Sequence, residues 1–166
     1  MSAIADFRIL GTDKLEALKG SAEIKIKKGF FKKTVIDNYW SFLNENSIEL
    51  ENKFQWSGYI FGSLLIYLQE NKEIDLLTSE FDSTANWISE KRGASAVIFT
   101  LKHKRLFLDK LELENFNETE LIEFNKEFSE DDSPELARAE MDGIKAIRNS
   151  LAELKNENEI VLLTVG

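Results

Sequence analysis

The chain has 166 residues, of which 31% are charged, with one histidine and no cysteine. This length fits one domain built on a single hydrophobic core, and the lack of cysteine excludes disulfides and thiolate metal sites. The formal net charge of −9 predicts that the protein repels nucleic acid and attracts basic partners.

The first part of the chain predicts two strands and two helices. Residues 3–10 and 22–27 have strand-like patterns, and the second alternates apolar with charged side chains. A short helix is expected to begin near Asp13 and to end at Gly20 in the left-handed conformation. The helical spacing of apolar residues predicts a second helix over 34–44.

The stretch 54–69 contains no charged residue, and it organises the rest of the prediction. Apolar side chains recur at helical spacing and cover most of its circumference, which is typical of a buried helix. The run is shorter than the roughly 20 apolar residues of a membrane span, and polar residues interrupt it. We therefore interpret 54–70 as a buried central helix, in which Gly58 and Gly62 would let another backbone approach closely. Polar connections are expected on either side, over 47–53 and 71–77.

Residues after this helix predict a helix that begins at Thr78 or Ser79 and ends at Gly93. The apolar run 94–101 then predicts a buried strand. Residues 102–113 fit either the return strand of a hairpin or a helix, and the pattern slightly favours the helix.

The C-terminal third has the clearest local signals. Asn117 and Glu120 have the spacing of a capping box for a helix over 116–128. A serine followed by proline predicts the start of the longest helix, 134–155. The uninterrupted apolar run 160–165 predicts a strand that is buried on both faces.

Together these elements predict an α+β fold in a single helix-rich domain, residues 1–166. A small sheet should be covered by the buried central helix (54–70) and by the long C-terminal helix (134–155).

Charge is unevenly distributed along the chain. From residue 112 to residue 142 there are twelve acidic residues and two basic ones, an excess of −10 that more than accounts for the whole net charge. Five lysines lie between residues 25 and 33 with no acidic residue among them. The molecule is therefore expected to have a strongly acidic region and a separate basic one.

No catalytic, cofactor-binding or metal-binding residue is predicted. His103 lies between Lys102 and Lys104, which favours a solvent-facing position over a role as a general base or ligand. The acidic run 130–132 lacks the regular ligand spacing and the central glycine of a calcium loop. The sequence contains no phosphate-binding loop and no nucleophile elbow.

Four segments resemble the YfbM-like family of small bacterial proteins, whose function is not established. They are Ala-Ile-Ala-Asp-Phe-Arg-Ile-Leu (3–10), Thr-Asp-Lys-Leu-Glu-Ala-Leu (12–18), Ile-Asp-Asn-Tyr-Trp-Ser-Phe-Leu (36–43) and Leu-Leu-Thr-Val-Gly (162–166). The similarity covers the two ends and one inner segment, while 54–109 departs from it, and it implies no site residue. As a small, acidic, cysteine-free α+β protein, the chain also resembles by type the immunity proteins of bacterial toxin systems.

We therefore expect a cytoplasmic bacterial immunity protein that neutralises a cognate toxin, because toxins acting on nucleic acids or nucleotides tend to have basic clefts. Its predicted contacts, called the acidic surface below, are Glu118, Glu120, Glu123, Glu127, Glu130, Asp131, Asp132 and Glu135. Neither nucleic acid nor a membrane is expected as a partner, and a homodimer stays open. The N-terminus lacks the pattern of a signal peptide, so we expect no export by that route.

Three other interpretations stay open. A small enzyme would use a carboxylate pair or a divalent metal, with acidic residues converging near Trp40 or Trp56. An oligomeric scaffold would use exposed aromatic residues of the Trp40 or Trp87 helices. The lysine cluster with Phe30 and Phe31 weakly resembles a nucleic-acid-binding surface. Lysines along an edge strand also prevent edge-to-edge pairing of sheets, and we favour this second interpretation.

Overall fold

The computed structural model describes residues 3–30 and 32–166, which form an α+β domain. The strands are β1 (Ala5–Gly11), β2 (Lys25–Lys28), β3 (Lys33–Ile36), β4 (Ser47–Glu49), β5 (Ser95–Thr100) and β6 (Glu159–Val165). The α-helices are α1 (Leu15–Ala22), α2 (Tyr39–Asn46), α3 (Ile60–Lys72), α4 (Asp82–Arg92), α5 (Leu101–Phe107), α6 (Glu118–Ser129) and α7 (Pro134–Glu153). Within these residues, no helix has the length and apolar character needed to cross a membrane.

The main sheet is antiparallel, with the strand order β4-β1-β6-β5. The central strand β6 is buried from Ile160 to Val165. Val161 and Leu163 pack into one half of the core, whereas Ile160 and Leu162 pack into the other half across the sheet. The prediction of a strand buried on both faces is confirmed, because helices cover both sides of the sheet.

The first helical layer contains α3, α7 and α6, and α3 contributes Phe61, Leu64 and Leu68 to its core. The predicted central helix is therefore buried, but it begins at Ile60 and not at 54. The residues before it, 50–59, form neither helix nor strand, and among them the Gly58 N–H donates to the Ala3 carbonyl at 2.8 Å.

The close backbone approach predicted for two glycines holds at only one of them. A Cβ on Gly58 would lie 2.9 Å from the Ala5 backbone nitrogen, whereas a Cβ on Gly62 would meet nothing within 4 Å. The close crossing of the central helix depends instead on Gly143 of α7, where a Cβ would lie 2.7 Å from Ile60 Cδ1.

The second helical layer contains α1, α2 and α4 and covers the other face of the sheet. Leu18, Leu43 and Ile88 from these helices pack against Leu10 and Leu162 of the sheet. Sequence reasoning did not assign these three helices to a face, because their apolar stripes are short and carry no information about which side they cover.

Three further features of the first half differ from the prediction. Gly20 lies inside α1 and does not end it. Residues 33–36 form the strand β3, so the helix predicted over 34–44 begins at Tyr39. The polar segment predicted as a connection contains the edge strand β4, which pairs with β1.

The later predictions agree better with the structure. Gly93 ends α4 with a positive φ of 62° as predicted, but this helix begins at Asp82 and not at Thr78 or Ser79. The strand predicted over 94–101 forms over Ser95–Thr100. The ambiguous stretch after it is helical over Leu101–Phe107. The long C-terminal helix begins at Pro134 and ends at Glu153, two residues earlier than predicted.

Candidate partner-binding surface

Helix α6 presents its carboxylates outward because its apolar side is fixed against the core. The Asn117 side chain accepts a hydrogen bond from the Glu120 N–H at 2.8 Å and so begins the helix. Leu121 and Asn125, four residues apart, are buried against the neighbouring helices. Ile122 and Phe124 between them are half-buried against the core, whereas every member of the acidic surface is exposed.

Two members of the acidic surface form ion pairs. Glu120 Oε2 accepts hydrogen bonds from Lys72 Nζ at 2.5 Å and from the Tyr67 hydroxyl at 3.1 Å. The Lys72 hydrogen bond lowers the pKa of Glu120 below its ordinary value. Glu118 lies 3.8 Å from the Arg138 guanidinium. The predicted capping box is therefore half formed, since the Glu120 carboxylate binds α3 and does not return to its own helix.

The remaining carboxylates are largely uncompensated. In the described part of the chain no ion pair is formed by Glu123, Glu127, Glu130, Asp132 or Glu135. Asp131 accepts the Ser133 N–H at 2.9 Å, and this hydrogen bond lowers its pKa. Like charges four residues apart on a helix, such as Glu123 and Glu127, destabilise it slightly. The acidic surface therefore has exposed carboxylates that form no ion pair within the described residues.

A groove of about 270 Å³ lies between α3 and α6 at this surface. It is lined by Tyr67, Asn71, Lys72, Glu120, Glu123, Phe124 and Glu127. Phe124 stacks on Phe128, with ring centroids 5.2 Å apart, and Phe128 is 49% exposed. The surface thus combines carboxylates with aromatic rings, a feature that the charge count did not reveal, although the two phenylalanines lie four residues apart on the same helix.

A buried carboxyl lies beneath the acidic surface. Glu140 of α7 has no exposed area, and its Oε1 accepts from Ser63 Oγ at 3.0 Å while its Oε2 accepts from Asn125 Nδ2 at 2.6 Å. Burial raises the pKa of Glu140 above its ordinary value. This residue counted among the acidic excess of the sequence, but the structure places it in the interior, where it connects α7 to α3 and α6.

The prediction that His103 faces solvent is wrong. Its side chain is buried, Nδ1 accepts the Thr100 N–H at 3.1 Å, and Nε2 lies 2.9 Å from the Thr78 carbonyl. Since Nδ1 accepts, the proton belongs on Nε2 and the ring is neutral. Burial lowers the pKa of His103, and the ring joins the start of α5 to the loop before α4 as a structural residue.

The tryptophans named by the alternative interpretations lie in different surroundings. Trp40 is half-exposed and borders a groove with Asp6, whose carboxylate is paired with Arg8 at 2.7 Å. Trp87 is more enclosed, because its N–H donates to the Lys19 carbonyl and the Lys91 ammonium lies 4.4 Å from its ring centroid.

Trp56 lies beside another acidic residue, since its N–H donates to Asp142 Oδ2 at 2.8 Å. Asp142 and Glu51 line a groove of about 280 Å³ that also contains Lys53 and Lys145. Over residues 3–30 and 32–166, no group of three or more histidine, aspartate or glutamate residues is placed to hold a metal ion.

The lysine cluster forms a hairpin of β2 and β3, called the basic hairpin below. Its register pairs Ile26 with Val35 and Lys28 with Lys33. The hairpin is a separate two-stranded sheet, so its lysines do not protect an edge of the main sheet. Phe31, which belonged to the nucleic-acid interpretation, lies outside the described residues.

No family model, curated protein or solved structure matches this chain. The resemblance to the YfbM-like family therefore stays a prediction.

Proposed function

We propose that the protein is a cytoplasmic immunity protein that binds the basic cleft of a cognate bacterial toxin with its acidic surface. The observation that carries this proposal is the set of exposed carboxylates on α6 and the following turn that lack ion-pair partners. Uncompensated like charges destabilise a fold, so their concentration on one surface is better explained by a cationic partner than by solubility alone.

The groove between α3 and α6 supports the same partner chemistry. A lysine or arginine side chain entering it would meet Glu123, Glu127 and the Phe124 ring. It would lie beside the Lys72 ammonium that already binds Glu120. A cation over an aromatic ring gains about 0.5–2 kcal/mol, depending on how far it is desolvated. The exposed carboxylates around the groove would steer a basic partner during encounter, which acts mainly on the association rate.

The test compares two variants of equal net charge. The surface variant combines Glu123→Lys, Glu127→Lys and Asp132→Lys. The control variant reverses three exposed acids outside the acidic surface, Glu45→Lys, Glu80→Lys and Glu153→Lys. The partner is a toxin-like protein encoded beside the gene, and its association is followed by stopped-flow fluorescence between low and physiological salt.

We expect the surface variant to associate about tenfold or more slowly at low salt, with a much weaker salt dependence. The control variant should associate at close to the wild-type rate, because it leaves the charges around α6 unchanged. Protection of cells from the toxin should fail only with the surface variant. Equal effects of both variants, or no effect of either, would contradict the proposal.

A further inference from the structure

The basic hairpin is a two-stranded sheet separate from the main sheet. All residues of β2 and three of the four in β3 are exposed. A two-stranded hairpin is at best marginally stable when nothing packs on it. At its base, Arg92 of α4 holds Asp37 through two hydrogen bonds of 2.9 Å, which fixes the hairpin to the body at one end.

One face of the basic hairpin is apolar and exposed. Ile26 and Val35 pair directly across the strands and therefore share a face, with exposures of 60% and 64%, and Ile24 lies on the same side with 50% exposure. Lys28 and Lys33, which pair with each other, continue this face towards the turn, whereas Lys25 and Lys27 lie on the opposite face. An apolar strip edged by lysines fits a protein surface that has apolar groups edged by carboxylates.

We propose that the basic hairpin of one copy docks on the acidic surface of a second copy. The acidic surface offers the complementary arrangement, with Phe124 and Phe128 beside Glu123 and Glu127. A nucleic acid is a poorer occupant, because the molecule carries a net charge of −9 and would be repelled by a long polyanion. β-branched aliphatic side chains also lack the flat faces on which bases stack.

The contact between copies is head-to-tail. The hairpin connects α1 to α2, and both of these helices cover the face of the sheet opposite to α6. The two docking surfaces are therefore different parts of the molecule, and such an interface closes into a ring or continues as a chain. This inference rests on the acidic surface of the proposed function, and it implies that copies and toxin compete for that surface.

The experiment measures molar mass by light scattering and sedimentation velocity over a range of concentrations at low and high salt. The hairpin variant is Lys28→Glu, Lys32→Glu and Lys33→Glu, at the turn end of the apolar face, and the acidic-surface variant is Glu123→Lys, Glu127→Lys and Asp132→Lys. A control of the same net charge as the hairpin variant is Lys102→Glu, Lys145→Glu and Lys155→Glu, at exposed positions elsewhere.

We expect the wild type and the control to self-associate at low salt and to dissociate as salt rises. Each of the two test variants should be monomeric by itself. When they are mixed in equal amounts, each reversed surface again meets an opposite charge, so the average mass should rise about twofold or more. Renewed self-association in the mixture would also show that both variants are folded, because an unfolded variant could not form the contact.

A monomeric wild type at every concentration and salt would overturn the inference, as would self-association that survives both reversals or a mixture that stays monomeric. Two other results distinguish this inference from the proposed function. If the hairpin variant is monomeric and still binds the toxin at the wild-type rate, both proposals stand. If the acidic-surface variant loses self-association but keeps toxin binding, only the proposed function fails.

Discussion

Replacing the buried Glu140 by glutamine should stabilise the protein at neutral pH. The carboxyl is fully buried, and both oxygens receive hydrogen bonds, from Ser63 Oγ and Asn125 Nδ2. The negative charge of Asp131 raises the pKa of Glu140 further. Ionisation of Glu140 in the folded state therefore costs free energy that a neutral side chain would not.

Glutamine can satisfy the same hydrogen bonds. Its carbonyl oxygen would accept from Asn125 Nδ2, and its NH₂ group would donate to Ser63 Oγ, whose single proton would then turn to the Ile60 carbonyl at 3.2 Å. The substitution is nearly isosteric, so it creates no cavity. The expected effect is thus electrostatic, and its pH dependence identifies it.

The sign follows from proton linkage. The folded-state pKa of Glu140 is raised above its ordinary value of 4.5, so between these two pKa values the folded protein binds more protons than the unfolded chain. The wild type therefore loses stability as pH rises through this interval, by about 1.4 kcal/mol per pH unit within it. The glutamine variant has no such loss, so its advantage should be smallest near pH 4.5 and should grow until the folded-state pKa is passed.

Urea unfolding at pH 4.5, 5.5, 6.5 and 7.5 measures this difference. Other titrating groups are present in both proteins and cancel in the comparison. Glu153→Gln, at an exposed position on the same helix, is the control and should show no pH-dependent difference from the wild type. If the stability difference for Glu140→Gln were constant with pH, or if it fell as pH rose, the buried carboxyl would not be destabilised by ionisation and the reasoning would be refuted.

Two further stability predictions concern single buried or helical positions. Gly143→Ala should be less favourable than Gly62→Ala by about 1–3 kcal/mol in the free energy of unfolding. Both substitutions gain about 0.5–1 kcal/mol of helix propensity, but the Cβ at 143 would press on the side-chain ends of Ile60 and Leu64 at 2.7 and 2.8 Å, whereas the Cβ at 62 has open space. Equal effects of the two substitutions in urea unfolding would contradict the close helix crossing. His103→Asn should cost about 1–3 kcal/mol at pH 8, and because burial lowers the pKa of His103 below its ordinary value of 6.5, the wild type should lose part of that advantage as pH falls below 6.5. A difference between the two proteins that is unchanged from pH 8 to pH 5.5 would show that the ring does not have to stay neutral.

The elements that could be predicted from sequence are those whose signals are local. Asn117 begins α6 with a hydrogen bond to a residue three positions later, and Ser133 with Pro134 begins α7 in the same way. The run 160–165 has no polar residue except Thr164, so burial on both faces could be inferred from composition alone.

The elements that could not be predicted depend on distant partners. The edge strand β4 is short and polar, and it exists because it pairs with β1 and because Glu49 meets the buried Arg8 at 3.1 Å. The strand β3 has a sequence that also fits the first turn of a helix, and its pairing with β2 decides the outcome. In both cases the tertiary context overrides a weak local preference.

The candidate site shows the same division. That the carboxylates of α6 are exposed follows from the helical period, since Leu121 and Asn125 fix the buried side. The interior position of Glu140 does not follow, because acidic residues are almost never fully buried and its hydrogen-bond partners lie on α3 and α6. His103 was misplaced for a related reason, since its lysine neighbours in sequence say nothing about the Thr78 carbonyl 25 residues away.

The acidic surface and Glu140 represent two outcomes for the same excess of negative charge. The exposed carboxylates of α6 and its following turn stay in water, where a charge costs little and can be met by a partner. Glu140 lies one helix deeper, where burial favours its neutral form. Asn125 of α6 donates a hydrogen bond to that carboxyl. The helix with the exposed carboxylates is therefore held to the core by a group whose neutral form is favoured by burial. A neutral Glu140 adds no further negative charge beneath the exposed carboxylates. The surface can therefore remain acidic while α6 stays packed against the core.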